Sequence, residues 1–205
     1  MRQDAVLLVV DVQNDFLPGG ELAVERGDEI IPVINRFAPR FDNVLLTQDW
    51  HPAGHISFAS THGKVPFSTI GLEYGEQVLW PDHCVQGTRG AEFGERLVVP
   101  HAQGVIRKGH HAHADSYSAF LEADRRTPTG LAGLLRERGV QTVYLAGLAL
   151  DFCVAWSALD AMARGFEAIV IEDACRAIDT HGSLDAARRA FADAGVRMIN
   201  SDALL

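Results

Sequence analysis

Thr142-Val143-Tyr144-Leu145-Ala146-Gly147-Leu148-Ala149-Leu150-Asp151-Phe152-Cys153-Val154 is the stretch on which the fold turns. Its start, Thr142 to Ala146, is a short apolar, β-rich run, as expected of a parallel strand buried on both faces. From Val154 to Arg164 the spacing becomes helical. Strand, tight turn and helix make the repeating unit of an α/β domain. Cys153 sits in that turn, where the helix dipole and free backbone N–H groups favour a thiolate. The same N–H groups could hold an oxyanion. A lone cysteine is more often a small buried apolar residue. The residues that follow the other strands weigh against that reading.

Outward from this unit the same alternation recurs. Further strands are expected at Ala5–Val10, Val44–Thr47, Val105–Arg107, Ala168–Glu172 and Val196–Ile199, and helices at Asp28–Ala38, Gly130–Arg138, Val154–Arg164 and Leu184–Ala194. In the last helix Ala186, Ala187, Ala190, Phe191 and Ala194 share a face by spacing. Gly139, Gly165 and Gly195 each follow a helix and precede a strand, as C-terminal stops do. The pattern predicts one α/β domain over residues 1–205, a largely parallel sheet of about six strands with helices on both faces. From His51 to Pro100 the chain reads as a long loop rich in Gly, Pro, His and Phe, the kind of segment that is usually functional when ordered.

Composition narrows the function classes. The chain has 205 residues, 47% hydrophobic and 22% charged, with a formal net charge of -9. An acidic surface argues against nucleic acid or an anionic membrane as the main partner. Ala5–Val10 is too short to cross a bilayer. It is flanked by Asp4 and Asp11 and has no basic leader, so it reads as a core strand and not as a signal peptide. Three cysteines are too few for a disulfide scaffold and suit a reducing cytoplasm.

In open α/β sheets the ligand lies at the carboxyl ends of the strands. Asp11 follows the first strand directly, and little water is expected there. It is either a turn carboxylate or a desolvated acid fit for proton transfer. Asp49 and His51 follow the second strand two residues apart, on one side of an extended segment. With His83, from Trp80-Pro81-Asp82-His83-Cys84-Val85, they make an ordinary donor set for a divalent first-row metal. His55 is a further donor or a loop hydrogen-bonding residue. Lys108 follows the third strand. It is either a solvated lysine or a fixed cation that lowers a thiol pKa. His110, His111 and His113 come next, an exposed loop first and a metal-binding tract second. A carboxylate, an ammonium and a thiol at three strand ends fit the logic of a triad with a cysteine nucleophile. No dinucleotide, P-loop or C-x-x-C pattern is present.

Taken in order, Val10-Asp11-Val12-Gln13-Asn14-Asp15-Phe16, Asp49-Trp50-His51-Pro52, the Trp80 to Thr88 segment, Lys108-Gly109, Asp115 to Phe120 and Gly147 to Val154 resemble the nicotinamidases of the isochorismatase-like cysteine hydrolase superfamily. The Asp–Lys–Cys set marks the wider superfamily, and the D-x-H with W-P-x-H-C is more specific to nicotinamidases. The resemblance implies Asp11, Lys108 and Cys153 as catalytic residues, with the backbone N–H groups of Ala149 and Cys153 facing an oxyanion across a cis Leu148–Ala149 bond. It implies Phe16, Trp80 and Tyr117 around a pyridine ring, and Asp49, His51 and His83 on one divalent ion, zinc first and manganese or iron next. His55 matches a histidine where the family's extra ligand varies, and it stays open. The His110-His111-Ala112-His113 tract departs from what is expected after the family's Lys-Gly.

The activity implied is hydrolysis of nicotinamide to nicotinate and ammonia in NAD salvage, with pyrazinamide as a second substrate. Two rivals remain at this point. Another superfamily amidase, acting on carbamoyl or ureido groups, would not need Asp49, His51 and His83 together. A non-catalytic metal or thiol binder would explain the histidines but not the residues at three strand ends.

Overall fold

Strand β1, Ala5–Val10, is buried along its whole length. Its alternate side chains face two separate cores, as the two-residue period of a strand requires. Val6, Leu8 and Val10 pack with Leu131, Leu135, Ala155, Ala158 and Phe191. Leu7 and Val9 pack with Ile30, Ile31, Ile34 and Phe37. Each such side chain, fully buried, contributes roughly 1.5–3 kcal/mol relative to exposure. The sheet therefore has helices on both faces: α1 (Ile30–Phe37) on one, and α2 (Leu131–Glu137), α3 (Ala155–Ala163) and α4 (Ser183–Ala194) on the other. The computed structural model describes residues 4–205.

The remaining strands are β2 (Val44–Asp49), β3 (Thr69–Leu72), β4 (Gly75–Val78), β5 (Val105–Lys108), β6 (Thr142–Leu148), β7 (Glu167–Arg176) and β8 (Arg197–Ile199). Five of them join β1 in one parallel sheet of order β5-β2-β1-β6-β7-β8. The chain winds outward one way through β2 and β5 and the other way through β6, β7 and β8. The crevice of an α/β sheet opens at such a reversal, here between β1 and β6.

All six expected strands and four expected helices form, the first strand with the expected bounds and the others with shifted ends. β2, β5, β6 and β7 run past their expected last residues to Asp49, Lys108, Leu148 and Arg176. Asp49 pairs directly with Lys108 in the β2–β5 register, so two charged residues are carried into the ladder. α3 begins at Ala155 because Leu150–Val154 forms a single wide turn of π-helix first. On α4 the buried residues are Ala187 and Phe191, with Leu184 and Ala190 half-buried; Ala186 and Ala194 are exposed, against the expected face. Gly139, Gly165 and Gly195 all take the left-handed conformation expected of helix stops. The His51 to Pro100 region is not all loop: β3 and β4 pair as an antiparallel hairpin within it. No helix among the described residues is long and apolar enough to cross a membrane.

Candidate active site

Three adjacent strands bring three charged groups together. Asp11 follows β1 in a left-handed conformation (φ 47°), Asp49 ends β2 and Lys108 ends β5. Lys108 is wholly buried. Its Nζ lies 2.6 Å from Asp49 Oδ1 and 2.9 Å from Asp11 Oδ2, and it donates to the Ser116 carbonyl at 2.8 Å. The contact to Asp11 is close but off the line of a hydrogen bond. Cys153 Sγ is 3.4 Å from the same Nζ. It reaches there because β6 ends tightly against β1: Gly147 (φ 129°) has no room for a Cβ, which would lie 2.0 Å from the Val10 carbonyl oxygen. The Leu148–Ala149 bond is cis.

The electrostatics differ from the sequence expectation in one respect. Burial pushes the Cys153 thiol well above its ordinary value. Lys108 pulls it down, and Asp11 and Asp49 hold it up. One ammonium and a helix end do not outweigh full desolvation and two carboxylates. Burial also raises Asp11, against the pull of Lys108. Burial works against the charge on Lys108, but Asp11 and Asp49 more than restore it, so it stays an ammonium. Asp49 goes the other way: burial would raise it, and Lys108, His51 and His83 together hold it well below the usual carboxylate range.

Asp49 presents its second oxygen to two imidazoles. Oδ2 is 3.4 Å from His51 Nε2 and 3.7 Å from His83 Nε2. The Nδ1 of His51 is held by the Gly109 carbonyl at 2.9 Å, and that of His83 by the Pro81 carbonyl at 2.8 Å. Both rings are thereby fixed with Nε2 free to act as a donor to a metal. His51 Nε2 is buried with no hydrogen-bond partner among the described residues. Gly109 (φ 64°) is required here, since a Cβ would lie 2.4 Å from the His51 ring. Donors about 2.1 Å from a tetrahedral ion are about 3.4 Å apart, close to the separations observed. The three residues could therefore hold a divalent ion. His55 is placed otherwise. Its Nδ1 meets Ser57 Oγ at 2.7 Å and its Nε2 meets the carbonyls of His111 and Ala114 at 3.1 Å, so neither ring nitrogen is free. Burial and the neighbouring His51 push it down to about 4.

Phe16, Trp80 and Tyr117 line a cavity that is also lined by Asp49, His83, Ala149 and Cys153. Trp80 Nε1 donates to the Tyr117 hydroxyl at 3.1 Å, which fixes both rings. Phe152, Leu22, Asp115 and Ile178 complete the lining. Phe152 packs edge-on to Trp80 with centroids 5.0 Å apart.

Several supporting residues carried no signal in sequence. Thr47 Oγ1 donates to Asp11 Oδ1 at 2.6 Å and accepts from the Asp11 N–H at 3.1 Å. Gln13 holds the Asp49 backbone through both ends of its amide, at 2.8 Å each. Gln77 of β4 donates to Asp115 at 2.7 Å and to the Tyr117 hydroxyl at 3.2 Å, tying the hairpin to the cavity wall. Asp151 accepts the N–H groups of Ile178 and Asp179 at 3.0 and 2.8 Å, anchoring the segment after β7 beside Cys153. Each is a buried polar residue whose value comes from partners far away in the chain.

The fold and the residues at its strand ends define a class, and comparison with known proteins gives the same one: the chain belongs to the isochorismatase family, whose domain model matches residues 5–203. Within it, a nicotinamidase of Acinetobacter baylyi is 58% identical over 203 residues, covering 98% of this chain and 95% of its own length. The structure of the Acinetobacter baumanii nicotinamidase/pyrazinamidase is 60% identical over the whole of both chains, with a TM-score of 0.99. That of the Pyrococcus horikoshii pyrazinamidase in complex with zinc is 35% identical, covering 96% of this chain and 99% of its own, with a TM-score of 0.80.

Proposed function

We propose that this chain is a cysteine amidohydrolase that converts nicotinamide to nicotinate and ammonia, accepts pyrazinamide in the same cavity, and serves NAD salvage in the cytoplasm as a single domain. One observation carries the reading: the thiol, the aromatic side chains and two of the Asp49, His51 and His83 set line a single cavity. The high identity to a nicotinamidase over nearly the whole chain supports it. Asp49, His51 and His83 would hold one divalent ion, zinc by analogy with the Pyrococcus enzyme. When bound, such an ion supplies a Lewis acid toward a ring nitrogen or a water.

The chain's own residues perform the rest. As Sγ of Cys153 bonds to the carboxamide carbon, Asp11 accepts the thiol proton and the C=O electron pair moves onto oxygen. The N–H groups of Ala149 and Cys153 receive that oxyanion. Asp11 then gives the proton to the amide nitrogen, the C–N bond breaks and ammonia leaves. Water attacks the thioester as Asp11 takes one of its protons, the C–S bond breaks, Asp11 returns that proton to sulfur, and the acid leaves as nicotinate once its remaining proton goes to solvent. An acid raised by burial but facing Lys108 suits both directions of transfer. Lys108 stays charged throughout and stabilises the anionic states. Phe16, Trp80 and Tyr117 hold the ring.

The test is ammonia release from nicotinamide, pyrazinamide and a ureido compound, before and after chelation. Release from the two pyridine-type amides that falls on chelation is expected. Preference for the ureido compound would hand the site to another amidase of the family.

A further inference from the structure

We propose a second divalent-cation site, on the surface, formed by His110, His111 and Glu122. These residues each offer a donor atom, and all three atoms lie within 4.8 Å of one another. They lie outside the candidate catalytic cavity, on the loop after Lys108 and on the turn that follows Phe120.

Glu122 is the observation that points to a ligand. It is 1% exposed, yet its carboxylate meets no arginine or lysine among the described residues. Oε1 is 2.8 Å from His111 Nδ1, and Oε2 is buried with no hydrogen-bond partner among the described residues. Buried carboxylate oxygens are ordinarily satisfied, because leaving one bare costs free energy. A divalent cation answers the bare oxygen, and two imidazoles beside a carboxylate are a common set for a first-row ion. His110 is exposed and its ring lies 4.0 Å from that of His111, so the site is open to solvent and able to exchange. The loop that would be clamped also supplies the Gly109 carbonyl to His51 and the His111 and Ala114 carbonyls to His55.

The test uses the holoenzyme, saturated with zinc and dialysed to remove loose ion, then titrated calorimetrically with Zn²⁺ alone. One further ion per chain is expected, bound more weakly than the first. In His110→Gln/His111→Gln, both surface changes that leave Glu122 in place, that second binding should weaken by at least ~10-fold, a modest loss for a metal site. The tightly held first ion and nicotinamide turnover at saturating first-site zinc should be unchanged. His113→Gln should titrate like the parent. The proposal is overturned if the parent takes up no second ion, if the double variant binds it as well as the parent, or if His113→Gln alone abolishes it.

Discussion

Two of the histidine–carboxylate clusters among the described residues are built on opposite plans. In the first, Asp49, His51 and His83 are all buried, and backbone carbonyls pin both Nδ1 atoms so that each Nε2 faces one carboxylate oxygen. In the second, His110 is exposed, and a single imidazole–carboxylate hydrogen bond holds His111 to Glu122. The first is pre-organised, because its ring orientations are set before any ion arrives. The second must reorganise on binding, which costs affinity. The first cluster is also wired to the thiol, since the other oxygen of Asp49 lies 2.6 Å from Lys108, whose Nζ is 3.4 Å from Cys153. Glu122 makes no ion pair with a residue lining the cavity among the described residues; it meets the His111 ring, whose backbone carbonyl in turn faces His55.

The largest expected effect separates the thiol from the metal cluster. Cys153→Ala should lower nicotinamide turnover by at least ~10³-fold, since the covalent step goes with the sulfur. Its metal content should equal that of the parent. Residual activity near the parent level would end the covalent mechanism, and lost metal would mean that the thiol and the cluster are one site.

The next tests the wiring through Asp49. Asp49→Asn and His51→Gln should both lose the ion, but they should differ in stability once both proteins are fully chelated. Asp49→Asn removes one of two carboxylates from a buried ammonium, and breaking such a pair costs roughly 3–5 kcal/mol. His51→Gln leaves both ion pairs in place. Urea denaturation of the chelated proteins measures the gap. Equal midpoints would show that Asp49 matters to the metal alone.

Substrate choice comes third. Benzamide matches nicotinamide in shape but has no ring nitrogen for the Asp49–His51–His83 end of the cavity. A lost polar partner in a buried site costs roughly 1–3 kcal/mol. Benzamide should therefore show kcat/KM at least ~10-fold below nicotinamide, one decade being about 1.4 kcal/mol. Equal values would remove the cluster from ring recognition.

These contrasts also mark what the sequence could reveal. The strands are legible because β1 is apolar without interruption and β6 largely so, and the helix stops because glycine alone takes those conformations at little cost. Asp11, Lys108 and Cys153 stood out by following three strands, and the structure brings them together as that position implied. The β3–β4 hairpin is not legible, because Thr69–Leu72 and Gly75–Val78 are short, half-exposed and only weakly alternating. The thiol's protonation was also missed, since desolvation depends on everything packed around Cys153 and local spacing reports only the helix. For His55 the sequence leaves a metal ligand and a loop hydrogen-bonding residue equally open, and in the structure Ser57, His111 and Ala114 meet both its nitrogens. Thr47 and Gln13 gave no sign, because their partners are 36 residues away.

Thr47 supplies the smallest effect, and one that tests whether buried support sets the chemistry. Its hydroxyl donates to the Asp11 carboxylate at 2.6 Å and so favours the ionised form. Thr47→Val keeps the shape and removes that donor, so Asp11, already raised by burial, should rise further. Asp11 must be ionised to accept the thiol proton, so activity falls as pH drops through its pKa. A higher pKa moves that acid limb upward. A hydrogen bond to a charged group is worth roughly 1.5–3 kcal/mol, but solvent and side-chain relaxation recover part of it, so a shift of about one pH unit is expected. At the plateau kcat should fall by only a few fold and KM should hold, since Thr47 does not line the cavity. The matched control is His113→Gln, beside the surface cluster, which should leave the kcat/KM profile unmoved. An acid limb that stays in place in Thr47→Val would show that Lys108 alone sets the protonation of Asp11, and the hydroxyl would then be a fold contact and no part of the proton transfer.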